Sequence, residues 1–194
     1  MDSKLFQVDE SHMQAMDRVL QNWRIRQAGR FIRDGDKLLD VGCFDGCLLQ
    51  RYRPKLKRAA GLDPLVVPFQ SEEFEIYADV LPGKVRFEDE SFTCITMLAV
   101  LEHVEDIGEL VRECSRILAP GGRVILTVPH PLVDEILEWL IRLKIVGGMS
   151  LEEHHHFDVR ETAPAFEKEG FETSVSSSFQ FGLNRLFVFG KPAK

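Results

Sequence analysis

Apolar residues recur along the chain with two different spacings, and the change between them predicts its elements. Near the amino terminus they recur every three or four residues, which predicts a helix: Met13, Met16, Leu20, Trp23, Ala28, Phe31 and Ile32. The polar stretch "DGDK" at 34–37 ends this helix, because Gly35 can adopt the left-handed conformation common at helix ends. Residues 1–35 are therefore predicted to be a helical segment.

Five short apolar runs then predict strands, at 37–41, 59–63, 74–78, 92–98 and 123–128. Runs that are apolar throughout are typical of a parallel sheet buried on both faces. Between the last two runs, an apolar stripe at 107–118 predicts a helix, with Glu105 and Asp106 favouring its positive amino end. Pro120 and the two glycines after it end that helix, because proline cannot continue the hydrogen-bond ladder.

The carboxyl-terminal part has a different pattern. Its apolar runs at 171–177 and 185–191 are close enough to pair as an antiparallel hairpin. The helix predicted to start near Asp158 should begin late or bend, because it contains Pro164. Strands alternating with helices predict an α/β fold with a doubly wound, mostly parallel seven-stranded sheet that ends in this hairpin. Residues 1–194 are predicted to form one domain.

Composition and charge exclude several classes of function. The formal net charge is −7, which argues against a broad nucleic-acid surface. No apolar run reaches the length of about 18 residues needed to cross a membrane, and the start "MDSKLFQVDE" lacks the pattern of a secretory signal. The four cysteines have neither disulfide-scaffold nor zinc spacing, so we expect reduced thiols, no metal site and a cytoplasmic protein.

The loop after the first predicted strand carries the first candidate chemistry. In "LLDVGCFDGCLL", residues 38–49, Gly42 and Gly46 permit a sharp turn close to a ligand. Ligands of doubly wound sheets bind at this carboxyl edge of the strands. The loop has the form G-x-x-x-G and lies between Asp40 and Asp45, whose charge would repel a pyrophosphate. It therefore favours a ligand that is cationic or lacks a charged phosphate.

Two further acids end the next predicted strands. Asp63 ends the second strand, where a carboxylate can accept hydrogen bonds from both hydroxyls of a ribose. Asp79 follows the third strand and could accept from the exocyclic amine of an adenine, with the backbone of Val80 contacting the ring. Each acid alone is more often a turn former, but three at one sheet edge indicate an adenosine-type cofactor.

Four stretches in order, "LLDVGCFDG", "GLDP", "FEDESFTCITMLAVLEHVED" and "RILAPGGRVILTVP", resemble the motifs of the class I S-adenosylmethionine-dependent methyltransferases, especially their small-molecule branch. The resemblance implies a Rossmann-like fold with its cofactor-binding core at 36–128. It also implies methyl transfer from S-adenosyl-L-methionine to a small molecule, with S-adenosyl-L-homocysteine as product. By resemblance, Asp40, Gly42, Cys43 and Gly46 would surround the methionine part, Asp63 would hold the ribose, Asp79 and Val80 the adenine, and the Leu98 carbonyl the amine.

Two positions depart from the family pattern. Phe44 replaces the central glycine of the loop, and Thr93 replaces the usual aspartate after "SF". Because Phe44 has a Cβ, it must hold a negative φ or bear backbone strain. At the cofactor site Phe44 could shield the methionine part from water, or it could block the pocket.

Histidines are the candidate general bases for the acceptor. His103 in "LEHV" follows the fourth predicted strand, and a helix-cap hydrogen bond is its alternative to a site role. His130 in "VPHP" directly follows the fifth predicted strand, which directs it to the active-site edge. The triplet His154, His155 and His156 invites a metal interpretation, but adjacent side chains on an extended segment point apart, which favours a structural or acceptor-contact role.

The segment 129–158 is predicted to be a lid over the acceptor pocket, and its helix at 132–146 is apolar on more than one face. That surplus favours a partly apolar acceptor, but it could instead form a homodimer surface or contact a membrane. Residues 159–194 would supply a helix and the hairpin.

The leading hypothesis is a small-molecule methyltransferase, and the alternative is a catalytically inactive binding or regulatory module. A nicotinamide-dependent oxidoreductase is disfavoured by the missing third glycine.

Overall fold

The computed structural model describes residues 15–129 and 158–193. Within these residues one mixed sheet runs in the order β3-β4-β2-β1-β5-β6-β8-β7. Its strands are β1 Lys37–Val41, β2 Arg58–Leu62, β3 Phe69–Gln70, β4 Glu75–Tyr77, β5 Phe92–Leu98, β6 Leu118–Pro129, β7 Glu172–Phe179 and β8 Asn184–Gly190. The helices are α1 Ala15–Ala28, α2 Cys47–Tyr52, α3 Ile107–Ile117 and α4 Thr162–Lys168.

The doubly wound α/β fold is confirmed, with one strand more than predicted. Strands β4, β2, β1, β5 and β6 pair in parallel, and β8 pairs antiparallel with both β6 and β7. The additional strand, β3, is two exposed residues that pair antiparallel with β4. The prediction missed it because two exposed residues have no periodicity to detect.

The last strand of this part of the chain is inserted inside the sheet rather than added at its edge. β8 lies between β6 and β7, with Val188 opposite Ile125 on one side and opposite Val175 on the other. In chain order the edge strand β7 comes first. The chain then turns at Gln180–Gly182, and β8 returns between β6 and β7.

Helix ends follow local chemistry. Asp106 caps α3, where its carboxylate accepts a hydrogen bond from the backbone N–H of Glu109 at 2.8 Å. The helix α4 begins only at Thr162, after a 3-10 turn at Val159–Glu161, so Pro164 lies in its first turn. The predicted late start is thus observed, because the first-turn N–H that proline lacks has no partner within a helix.

Two apolar clusters cover the two faces of the sheet. Ile25 and Ala28 of α1 belong to one cluster together with Leu48 and Leu49 of α2. The other cluster contains residues of α3 and α4: Leu110, Val111, Cys114, Ile117 and Phe166. Burial of each large apolar side chain stabilises the fold by about 1.5–3 kcal/mol. The helices on both faces leave the carboxyl edge of the sheet to the loops.

Several predicted features lie outside the described residues. They are His130, the triplet His154, His155 and His156, and the helix at 132–146 with its proposed lid and homodimer surface. In the described ranges, no helix combines the length and the apolar character that a membrane span requires.

Candidate functional site

A cavity of about 870 Å³ lies at the carboxyl edge of the parallel strands. Seven of the residues predicted from the sequence line it: Gly42, Phe44, Asp63, Asp79, Val80, Leu98 and His103. Three others, Asp40, Cys43 and Gly46, do not line it and instead shape the loop behind it. The strand ends that the sequence singled out therefore converge on one space large enough for a nucleoside-sized ligand.

The loop after β1 folds back onto the end of β2. The backbone N–H groups of Gly42 and Cys43 both donate to the carbonyl of Leu62, at 2.7 and 3.1 Å. Gly42 has a φ of +72°, and a Cβ there would lie 2.4 Å from Cγ2 of Val100, so only glycine fits. The backbone of the loop therefore reaches the cavity wall without an intervening side chain.

The backbone of Phe44 is strained and does not hold a negative φ. Its φ is +41°, a left-handed conformation that costs a residue with a Cβ of the order of 1–2 kcal/mol. Its N–H donates to Oδ2 of Asp63 at 3.0 Å, which holds the backbone in that conformation. Phe44 lines a cavity that remains open, so it does not fill the site.

Asp63 is buried at the end of β2 and joins two loops. Oδ2 accepts from Phe44, and Oδ1 accepts from the backbone N–H of Leu65 at 2.8 Å. A carboxylate has about four lone-pair positions, so two remain for ligand hydroxyl groups. Because Asp63 also lines the cavity, it can accept from a ribose while it holds the loops.

Asp79 organises the loop after β4. Its carboxylate accepts from the backbone N–H groups of Val80, at 2.9 Å, and Val85, at 2.6 Å. Desolvation opposes ionisation, but the hydrogen bonds from Val85, Val80 and Lys84 together hold the pKa of Asp79 below its usual value. The group is thus an ionised acceptor beside the half-exposed side chain of Val80.

Asp40 lies behind the loop in the core of the sheet. Burial raises its pKa from 3.8 to about 7, against the hydrogen bond that Thr96 Oγ1 donates to Oδ1 at 2.6 Å, and the nearby Asp45 and Asp63 raise it further. Cys43 is also buried, and burial strongly raises the pKa of its thiol. Neither group has the exposure of a reagent at the cavity wall, so both act here by shaping the loop and its charge.

Helix α1 contributes two residues to the cavity that were not predicted from the sequence. Gln21 and Arg24 line the cavity, and Gln21 Nε2 donates to Oδ1 of Asp45 at 3.0 Å, which fastens α1 to the loop. The signal in the sequence is weak, because two polar residues three positions apart also occur on any solvated helix face. Only the packing of α1 against the sheet brings them to the site.

The cavity is rich in carboxylates. Its described lining includes five acids, Asp63, Asp79, Glu105, Asp106 and Glu109, and among the permanently charged cations only Arg24. His103 reaches the cavity from a 3-10 turn at Leu101–His103, which begins three residues after the end of β5. Such a lining favours a ligand with positive charge, with one position suited to a carboxylate on that ligand.

Thr93, the second departure from the family pattern, lies at the other end of β5. Its hydroxyl donates to Oδ1 of Asp36 at 2.9 Å and accepts from the N–H of Lys37 at 3.0 Å. Thr93 does not line the cavity. This departure therefore concerns how β5 is tied to β1 and leaves the cavity unchanged.

Comparisons with known proteins agree with this geometry. A family model described as "Methyltransferase domain" matches residues 11–174. The ubiquinone biosynthesis O-methyltransferase of Pseudomonas aeruginosa is 30% identical over 122 residues, which are 55% of this chain and 48% of that protein. The 27-O-demethylrifamycin SV methyltransferase of Amycolatopsis mediterranei is 28% identical over 123 residues, 52% of this chain and 42% of that one. The chain spans about half the length of these curated relatives.

A solved structure from Haloferax volcanii, a complex between the Trm112 methyltransferase activator and a putative methyltransferase, shares the fold with a TM-score of 0.70. It is 17% identical, and the match covers 92% of this chain and 95% of that one.

Proposed function

We propose that this chain transfers the methyl group of S-adenosylmethionine to an oxygen atom of a small, partly apolar acceptor. The chain belongs to the class I S-adenosylmethionine-dependent methyltransferase family, which is the premise of the proposal. The observation that carries the proposal is Asp63, which ties the loop after β1 to β2 and keeps lone pairs at the cavity wall. The names of the two curated relatives support oxygen as the methylated atom.

The described residues fit each part of the cofactor. Asp63 would accept from the ribose hydroxyls, and Asp79 with Val80 would hold the adenine. Gly42 allows the methionine part to approach the backbone, where the carbonyl of Leu98 would accept from its ammonium group. We assign Arg24 to the methionine carboxylate, because among the described lining residues it is the permanent cation.

Charge supports a sulfonium cofactor over a dinucleotide. Burial is the main cause of the raised pKa of Asp40, and the negative charges of Asp45 and Asp63 nearby raise it further. This negative potential stabilises a ligand that carries a sulfonium and an ammonium, and it repels a pyrophosphate. The loop also keeps the form G-x-x-x-G, without the third glycine of a dinucleotide fingerprint.

His103 is the proposed general base. When bound, S-adenosylmethionine supplies a methyl group on a positively charged sulfur that leaves as a neutral thioether. His103 lines the cavity and would take the proton of an acceptor hydroxyl as its oxygen attacks the methyl carbon. The chain's other contribution is to hold the two reactants in line, which alone can supply a large part of the acceleration. His130 stays a second candidate from the sequence.

The proposal is tested by calorimetric titration with S-adenosylmethionine and S-adenosylhomocysteine, with NAD as the control. Micromolar binding of the first two, and none of NAD, is the expected result. The second arm follows transfer of isotope-labelled methyl groups to a panel of phenolic and aliphatic alcohols. Binding without transfer to any of them would favour the alternative, an inactive binding module. Absence of binding would contradict the proposed function altogether.

We also propose a cytoplasmic location. All four cysteines are free thiols: Cys43, Cys94 and Cys114 are buried, and Cys47 is partly exposed. Unpaired cysteines are typical of proteins that work in a reducing compartment. Trapping of the thiols in freshly lysed cells, followed by mass spectrometry, checks their redox state.

A further inference from the structure

A second cavity, of about 320 Å³, lies at the amino-terminal edge of the parallel strands. It is bounded by the segment that follows α1, from Arg30 to Arg33, by Gly121 and Gly122 of β6, and by the start of β7 and the end of β8. Four cationic residues line it, Arg30, Arg33, Arg123 and Lys191, and no acid does among the described lining residues. Such a lining is unusual for a chain with a net charge of −7.

Arg123 gives this cavity a rigid, buried cation. The residue is only 5% exposed, and its Nε donates to the carbonyl of Phe31 at 2.6 Å. Its Nη2 pairs with Oδ2 of Asp36, a carboxylate that Thr93 and the N–H of Arg33 also contact. Neither of these bonds uses the Nη1 amino group, so Arg123 keeps donors for a ligand while its position is fixed.

Lys191 is fixed by carbonyl groups rather than by a carboxylate. Its Nζ donates to the carbonyls of Ser115 and Leu118, both at 2.7 Å. Its backbone makes two hydrogen bonds with the glycine pair. The N–H of Gly121 donates to the carbonyl of Lys191 at 3.0 Å, and the N–H of Lys191 donates to the carbonyl of Gly122 at 2.9 Å. Carbonyl dipoles orient an ammonium without cancelling its charge.

Arg30 and Arg33 are the exposed members of the set. Arg30 Nη1 donates to the side-chain oxygen of Gln27 at 3.2 Å, a neutral partner. Of the four cations, Arg123 alone is paired with a carboxylate, that of Asp36, so three positive charges lack a counter-charge within the described part of the chain. Their mutual repulsion is relieved when an anion binds.

We propose that this cavity binds a small anion that carries a phosphate group. Guanidinium groups bind phosphate oxygens with paired, charge-assisted hydrogen bonds, and the volume suits a small metabolite. The site lies at the opposite edge of the sheet from the cavity that holds Asp63, because Arg123 pairs with Cys94 near the start of β5. It is therefore independent of the proposed methyl transfer.

The test is titration of the whole chain with pyrophosphate and with inorganic phosphate at constant ionic strength, followed by calorimetry and by amide chemical shifts. We expect millimolar or tighter binding, with shifts centred on Gly121, Gly122 and Lys191. Arg33→Gln and Arg30→Gln should each weaken binding by about fivefold or more. Arg26→Gln is the matched control, because Arg26 is an exposed arginine of α1 that does not line the cavity.

Two outcomes would overturn the proposal. One is no binding at about 10 mM of either anion, a level at which a charge-assisted site of this kind is occupied. The other is equal weakening by Arg26→Gln, which would mean diffuse attraction to surface charge. Sedimentation with vesicles that contain phosphatidic acid, compared between Arg33→Gln and Arg26→Gln, shows whether a lipid carries the phosphate. Titration with S-adenosylmethionine in the same variants separates this result from the proposed function, since both variants should bind it unchanged.

Discussion

The backbone N–H of Phe44 donates a hydrogen bond to Oδ2 of Asp63, with 3.0 Å between the two atoms. One carboxylate therefore sets the conformation of the loop after β1 and stands at the wall of the proposed cofactor site. A residue with a Cβ keeps a left-handed conformation here because a neighbouring strand supplies the acceptor for its amide. The consequence is that substitution of Asp63 should affect both loop conformation and ligand affinity.

Replacing Asp63 with alanine removes both acceptors at once. The dissociation constant for S-adenosylmethionine should rise by at least about tenfold, because the ribose hydroxyls lose their partner. The melting temperature should fall as well, since the amides of Phe44 and Leu65 are left without acceptors. Asp34→Ala is the control: Asp34 is an exposed acid whose partner is Lys55, and its removal should change neither quantity. Unchanged affinity in Asp63→Ala would mean that the ribose lies elsewhere.

The backbone of Phe44 can be examined separately from its ring. Phe44→Ala and Phe44→Gly both remove the ring, but only glycine removes the cost of a φ of +41°. The glycine variant should therefore be more stable than the alanine variant by about 1 kcal/mol in urea unfolding. Both should still bind S-adenosylmethionine, and an affinity that increases in both would indicate that the ring obstructs the site.

Asp40 makes stability depend on pH. Its pKa is raised by burial from 3.8 to about 7, so the folded chain holds this proton more tightly than the unfolded chain does. The resulting stabilisation is complete below about pH 4 and is lost as the pH rises towards 7. The stability of Asp40→Asn relative to the unaltered chain should therefore increase over this range, by roughly 3–4 kcal/mol in denaturant unfolding. A difference that does not vary with pH would contradict the assignment.

Arg24 is assigned to the carboxylate of the cofactor. Arg24→Gln should weaken S-adenosylmethionine binding by about tenfold, because a charge-assisted pair contributes roughly 1.5 kcal/mol or more. Decarboxylated S-adenosylmethionine is the matched probe, and its affinity should be the same for both forms of the protein. Equal weakening for the two ligands would show that Arg24 acts through packing of α1 rather than through the carboxylate.

The sequence predicted best those elements that local pattern and burial determine together. The bounds of β1 and β5 are those predicted, because both are central strands whose apolar runs are bounded by polar turns. The acids at the ends of β2 and β4 were found for a similar reason, since their position follows from the strand that precedes them.

Features that depend on a distant part of the chain were not predictable. The approach of Gln21 and Arg24 to the cavity depends on how α1 packs, and the local pattern of a helix does not encode this. The φ of Phe44 follows from an acceptor 19 residues away. The cationic cavity is likewise assembled from the segment after α1, from the glycines of β6 and from Lys191, which lie far apart in sequence. In each case tertiary contacts decide what local propensity leaves open.

The position of β8 between β6 and β7 has a consequence for synthesis on the ribosome. The strand that fills the gap is the last of the described strands to leave the exit tunnel, so until Gly190 emerges the growing chain has two unpaired edges. One of them, on β6, belongs to a strand whose residues from Gly122 to Val128 are buried in the folded chain. Nascent chains that stall before residue 184 should therefore be held by chaperones, whereas those that stall after Gly190 can close the sheet.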